Sequence, residues 1–174
     1  QTMKDQTFGI EIETTGIGRE ATAKAIAAHF GTTARYVGDH LDNWVVPMPD
    51  GRKWTVESDA SINGHNQELD AEVVSPVCNW EDIETVQEIA RTIRRAGGRA
   101  DSSCGIHVHV GLGLHTPKTL RNLVNLVNAQ EDMLTAALGI SWQRRLEWCR
   151  EVEPEFLKLL NQAKPTTMAR FAEL

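Results

Sequence analysis

Residues 7–14, TFGIEIET, alternate apolar and polar side chains with the period-two pattern of a half-buried strand. Phe8, Ile10 and Ile12 fall on one face; Gly9, Glu11 and Glu13 fall on the other. Residues 105–112, GIHVHVGL, repeat the pattern, with Ile106, Val108 and Val110 opposite His107 and His109. Two strands of this kind need a layer over their apolar sides. The fold therefore turns on what the rest of the chain can supply.

Outward from these stretches, residues 19–30 place Ala21, Ala25, Ile26 and His29 or Phe30 at helical spacing, with Gly31 in the C-cap role. Short strands are expected over 33–37, 43–47, 53–57 and 69–75, punctuated by Pro49-Asp50-Gly51 and by Asn63-Gly64. The 49–51 turn joins two Trp-bearing runs as a hairpin would. Asn79 suits the cap of a helix over 80–96, with a buried stripe of Ile83, Val86, Ile89 or Ala90, and Ile93; Gly97-Gly98 ends it. Pro117 opens a helix over 117–138 that carries Leu120, Leu123, Val124, Val127, Leu134 and Leu138. A last helix over about 152–163 stops before Pro165. This order suits an α+β fold, a mainly antiparallel sheet with helices packed on one face. The apolar sets of the 8–12 and 106–110 strands then point at the helices. Glu11, Glu13, His107 and His109 project from the opposite face.

Length and composition set the bounds. A chain of 174 residues, 41 % hydrophobic and 24 % charged, has ordinary globular values and suits one domain over 1–174. A net charge of −6 argues against a nucleic-acid partner, whose footprint is a basic stripe. The most basic cluster, Arg91, Arg94 and Arg95, falls on the exposed side of a helix. No apolar run approaches a bilayer span and the N-terminus lacks a signal-type apolar region, so a cytoplasmic location without a membrane partner is expected. Cys78, Cys104 and Cys149 make no CxxC pair, and reduced, mostly buried thiols are the plain reading.

The chemistry begins with spacing. Carboxylates at i and i+2 on a strand stand about 6.5–7 Å apart and can flank one cation or bind two neighbouring ones. If the sheet sets HVH near EIE, two imidazoles join two carboxylates on one surface. Oxygen-rich donors with an occasional imidazole suit Mg²⁺ or Mn²⁺ better than zinc. A further carboxylate, Glu72, opens E-V-V-S-P at 72–76, and Asp59 and Ser61 lie in W-T-V-E-S-D-A-S at 54–61. Each motif alone has a plainer reading: a solvated strand face for E-I-E, an exposed strand glutamate for Glu72, a self-closing turn for Asp59 and Ser61.

Taken in order, F-G-I-E-I-E, W-T-V-E-S-D-A-S, E-V-V-S-P and S-S-C-G-I-H-V-H-V resemble the amidoligase family from Phe8 to about Cys149, with R-R-L-E-W-C at 144–149. These are carboxylate–amine ligases similar in fold to glutamine synthetase and glutamate–cysteine ligase. The resemblance implies that Glu11, Glu13, Glu72 and His107 ligate paired divalent cations. It places Glu13 and His107 where the metal meets the phosphates of ATP. His109 fits a role beside the metal ligands or facing substrate. Asp59 and Ser61 match a family motif and join His109 as candidate catalytic residues.

The reaction so implied is amide formation between a carboxylate and an amine, on small-molecule or peptide substrates, through an acyl phosphate and with ATP and Mg²⁺ or Mn²⁺. The family's C-terminal part, with a second strand set and an E-F-R type motif, is not found before Leu174. The expectation is therefore a truncated domain: a fragment, a half completed by another chain, or an inactive relative. A truncated sheet edge would also invite a homo-oligomer. Three other readings remain open. One is a metal-dependent hydrolase with His109 shuttling protons; another takes Cys104 as nucleophile with a histidine base. The third is a non-catalytic metal- or nucleotide-binding module.

Overall fold

The computed structural model describes residues 2–62, 64, 66–113 and 115–174. The chain forms two compact units, Gln1–Gly113 and Leu114–Leu174. Asn63 of the expected 63–64 turn lies outside the described residues.

The first unit is an α+β structure built on an open, wholly antiparallel sheet. Its strands are β1 (Phe8–Thr14), β2 (Arg35–Tyr36), β3 (Trp44–Pro47), β4 (Lys53–Glu57), β5 (Ala71–Val74) and β6 (Ile106–Val110), in the spatial order β2-β3-β4-β5-β1-β6. The late strand β6 thus lies directly beside β1. The β3–β4 hairpin closes at 48–52, where Met48 N–H donates to Arg52 O at 2.8 Å and the Asp50 carboxylate accepts from Arg52 N–H at 2.9 Å.

Helices α1 (Arg19–Phe30) and α2 (Ile83–Arg95) bury one face of the sheet. The core joins Ala23, Ile26 and Ala27 of α1 and Ile89 and Ile93 of α2 to Val46, Trp54, Val56, Ala71 and Val73 of the strands. Alternation fixes the rest: with Trp54, Val56 and Val73 inward, Thr55, Glu57, Glu72 and Val74 must point outward. Of the alternatives for α2, Ile89 is the buried residue and Ala90 is exposed. The buried face of α1 differs from the expected one. Thr22, Ala23, Ile26 and Ala27 are inside, whereas Ala21 is exposed and Ala25 half-buried. A helix so rich in alanine has almost no apolar asymmetry to set its phase.

A second correction concerns β6. Ile106, Val108 and Val110 lie on the helix side of the sheet, but within this unit neither helix covers them. α1 rests on β3, β4 and β5, and the edge strand stands two strands farther out. The return from α2 into the sheet needs Gly98. A Cβ there would lie 2.6 Å from Ile93 Cγ2 and 2.8 Å from Thr14 Oγ1, inside contact distance of both.

The second unit is helical: α3 (Pro117–Ala137), α4 (Trp142–Glu147), α5 (Pro154–Ala163) and α6 (Met168–Ala172). Thr116 caps α3, its hydroxyl accepting from Thr119 N–H at 3.2 Å. Helices α3 and α5 are locked by a reciprocal amide pair: Asn125 Nδ2 donates to Asn161 Oδ1 at 3.0 Å and Asn161 Nδ2 to Asn125 Oδ1 at 2.8 Å. The short helices α4 and α6 add to the two expected in this region. No helix among the described residues is long and apolar enough to cross a membrane.

Candidate metal centre

Strand register assembles the site. Glu57 pairs with Glu72, and Glu72 with Glu13, so three carboxylates stand side by side across β4, β5 and β1 on the face opposite α1 and α2. The next row sets Val74 against Glu11 and Glu11 against His107; the row beyond sets Gly9 against His109. Like charges directly opposite each other destabilise a sheet. Two such pairings in one row are unfavourable when all three carboxylates are charged.

The side chains converge accordingly. Glu11, Glu72 and His107 each present a ligand atom within 4.8 Å of the other two, and so do Glu13, Asp59 and Glu72. The two groups share Glu72. His107 spans the rows: Nδ1 donates to Glu11 Oε2 at 2.7 Å, and Nε2 lies 3.4 Å from Glu13 Oε1. Glu13 is 5 % exposed, and its Oε2 accepts from Gly105 N–H at 2.5 Å. That bond ties the carboxylate to the turn that starts β6. His109 Nε2 lies 3.1 Å from Glu11 Oε1 and takes part in neither group.

Electrostatics mark the same residues. Glu72 is 8 % exposed; burial, and then the charges of Asp59, Glu11, Glu57 and Glu13, push its carboxyl up to about 7. Glu57 is raised too, by burial first and then by Asp39 and Glu11. Burial acts upward on Glu11 as well, yet hydrogen bonds from His107 and His109 outweigh it and hold that carboxyl below the usual range. His107 is raised, chiefly by its bond to Glu11.

The sequence-derived candidates are placed unequally. Glu11, Glu13, Glu72 and His107 lie together. Asp59 reaches them from the segment after β4, oriented by Ser61, whose backbone N–H donates to Asp59 Oδ1 at 2.8 Å. Cys104 is half-buried, and burial pushes its thiol up, the reverse of what an activated cysteine needs. Cys78 is buried and Cys149 partly so, and none of the three is in a disulfide.

Sequence reading passed over Glu57, although the signal was present: Trp54 and Val56 point inward, so Thr55 and Glu57 share the face of Glu72. It also passed over Asp70, which is 4 % exposed two residues before Glu72. Asp70 Oδ2 accepts from Gly64 N–H at 3.2 Å, and Oδ1 finds no partner among the described residues.

No curated protein and no solved structure matches this chain. A family model described as "Putative amidoligase enzyme" matches residues 4–174, extending at both ends beyond the stretch that carries the motifs, and the chain belongs to that family of ligases.

Proposed function

We propose that this chain is an ATP-dependent carboxylate–amine ligase that uses Mg²⁺ or Mn²⁺, with a glutamine synthetase- or glutamate–cysteine ligase-like sheet. The observation that carries the reading is the in-register row Glu57–Glu72–Glu13, with Glu11 and His107 in the next row. The donor set fits a hard divalent cation: four carboxylates and one imidazole, oxygen-rich and free of thiolate. Glu11, Glu72 and His107 would hold one ion, and Glu13, Asp59 and Glu72 a second. Bound there, the cation supplies charge neutralisation for phosphate oxygens.

The remaining chemistry is assigned to the chain's own groups. Glu72, whose protonated form is favoured by burial and then by the neighbouring carboxylates, would release its proton as a cation offset both. Gly105 N–H orients the Glu13 carboxylate, and Ser61 N–H does the same for Asp59. His109 stands beside Glu11 at the margin, where it can meet substrate.

In the overall reaction the γ-phosphoryl group passes from ATP to a carboxylate oxygen, giving ADP and an acyl phosphate. The amine nitrogen then forms the C–N bond, the C–O bond to phosphate breaks, and inorganic phosphate departs with the electron pair. The amine proton passes to solvent. The substrates are small-molecule or peptide carboxylates and amines.

Phosphate release from ATP across a panel of amino acids and small peptides tests this reading. Release should require a carboxylate, an amine and Mg²⁺ together, and should vanish in Glu72→Gln. Metal-dependent hydrolysis of esters or amides without ATP would instead support the hydrolase reading.

A further inference from the structure

A strand glycine opens a second feature beside the metal centre. Gly9 is the second residue of β1, in extended backbone that any residue adopts, so its conformation does not require glycine. An interior strand glycine weakens a sheet and often marks close approach by a ligand. A Cβ at Gly9 would lie 3.7 Å from His109 Cβ and 3.9 Å from Ser75 Oγ, ordinary contact distances. The packing therefore has room for a side chain that the sequence withholds.

The room belongs to a trough of about 260 Å³ on the acidic face. Gly9 and Val74 form its floor, Ser75-Pro76-Val77 one wall, and Glu11 with His109 the end that borders the metal centre. The wall is pinned on both sides. Ser75 N–H donates to Ile10 O at 2.8 Å, while Phe8 and Cys78 exchange backbone hydrogen bonds at 2.9 and 2.7 Å. The Ser75 hydroxyl is already engaged, accepting from Ile10 N–H at 2.8 Å and donating to Pro76 O at 2.9 Å. What remains for a ligand is an aliphatic wall and one polar end.

We propose that this trough seats the amine substrate, a compact aliphatic primary amine whose nitrogen points at Glu11 and His109. The assignment rests on the ligase reading and extends it to a substrate class. Charge disfavours the acid: the lining holds neither lysine nor arginine, and its one carboxylate, Glu11, is shared with His107 and His109. Size argues against the nucleotide, since the volume is below the ~300–1,000 Å³ typical of sites for larger organic ligands.

The test is saturation-transfer NMR with L-alaninamide, read without metal, on the wild type, Gly9→Ala and Gly9→Val. Acetate and adenosine serve as comparison ligands, and Mn²⁺ affinity is measured in parallel by electron spin resonance. Overfilling a packed site should weaken alaninamide binding about tenfold in Gly9→Val and less in Gly9→Ala. Mn²⁺ affinity should be unchanged in both variants. The single methyl of Gly9→Ala meets only ordinary contacts, so that variant tests the seat even if Gly9→Val unfolds.

The proposal is overturned if the wild type does not bind alaninamide, or if Gly9→Ala and every folded variant bind it as the wild type does. It is also overturned if the substitutions weaken acetate or adenosine in its place. Absence of Mn²⁺ binding to the wild type would instead sink the metal centre, and the alaninamide comparison would still decide the trough.

Discussion

Two clusters of charge lie on the first unit, and they are balanced in opposite ways. At the β3–β4 turn, Arg52 bonds Asp82 through both terminal nitrogens at 2.8 and 2.7 Å and Asp50 through Nε at 2.7 Å. The guanidinium holds both aspartates below their usual range, and they raise its own pKa in return. That knot joins the hairpin to the turn that leads into α2. On the acidic face, Glu57, Glu72 and Glu13 share one row without a guanidinium, and Glu72 is pushed up to about 7. A cluster that neutralises itself serves the fold. A cluster that does not is the one to which the proposed function assigns a cation.

The difference has a pH signature. Glu72 rises from 4.5 to about 7, so its protonated form favours the folded state. Its stabilisation is complete below about 4.5 and is lost as pH rises through 7. His107, raised from 6.5, acts in the same direction. Asp82 and Asp50, held below 3.8, act in the opposite one: their contribution is present above that value and is lost as acid protonates them. Metal-free protein should lose about 3 kcal/mol between pH 4.5 and 7.5, measured by urea unfolding. Glu72→Gln should flatten most of that slope. A wild-type curve that is flat or rises over this range would erase the contrast between the clusters.

The self-neutralised cluster can be broken separately. Arg52→Ala strands Asp82, whose side chain is 17 % exposed, and should cost about 2 kcal/mol after allowance for solvent screening. Thermal unfolding should fall by about 4–8 °C. Mn²⁺ affinity should stay the same, because Arg52 belongs to the other cluster. A parallel loss of metal binding would show that the clusters are not independent.

A smaller effect sharpens the boundary of the acidic face. His109 contacts Glu11 but takes part in neither ligand group, so His109→Ala should weaken Mn²⁺ about tenfold, the lower end for a residue that orients a ligand. His107→Ala should weaken it by more. Titration followed by electron spin resonance ranks the two, and the reverse order would move His109 into direct contact with the ion.

The sequence made some of this legible and hid the rest for physical reasons. Strict alternation revealed β1 and β6, and with them the shared face of Glu11, Glu13, His107 and His109. Helix stops at Gly31 and Gly97-Gly98, the Pro117 start and the 49–51 hairpin were also readable. Register was not, because no local pattern says that β6 returns to the side of β1 or that Glu57, Glu72 and Glu13 align. Glu57 lies in W-T-V-E-S-D-A-S as a single strand glutamate, and only the register shows that it stands beside Glu72. Asp59 looked like a turn residue, and it does close a turn on Ser61 while its carboxylate also reaches Glu13 and Glu72. In α1 the alanines carried too little asymmetry to fix the buried face.

The most direct test of the central claim is a Mn²⁺ titration of the wild type and Glu72→Gln at pH 8, followed by electron spin resonance. Glu72 is the residue common to both ligand groups, so the wild type should bind Mn²⁺ and the variant should lose about a hundredfold in affinity or more. Equal binding by the two proteins would contradict a metal centre built on the glutamate row.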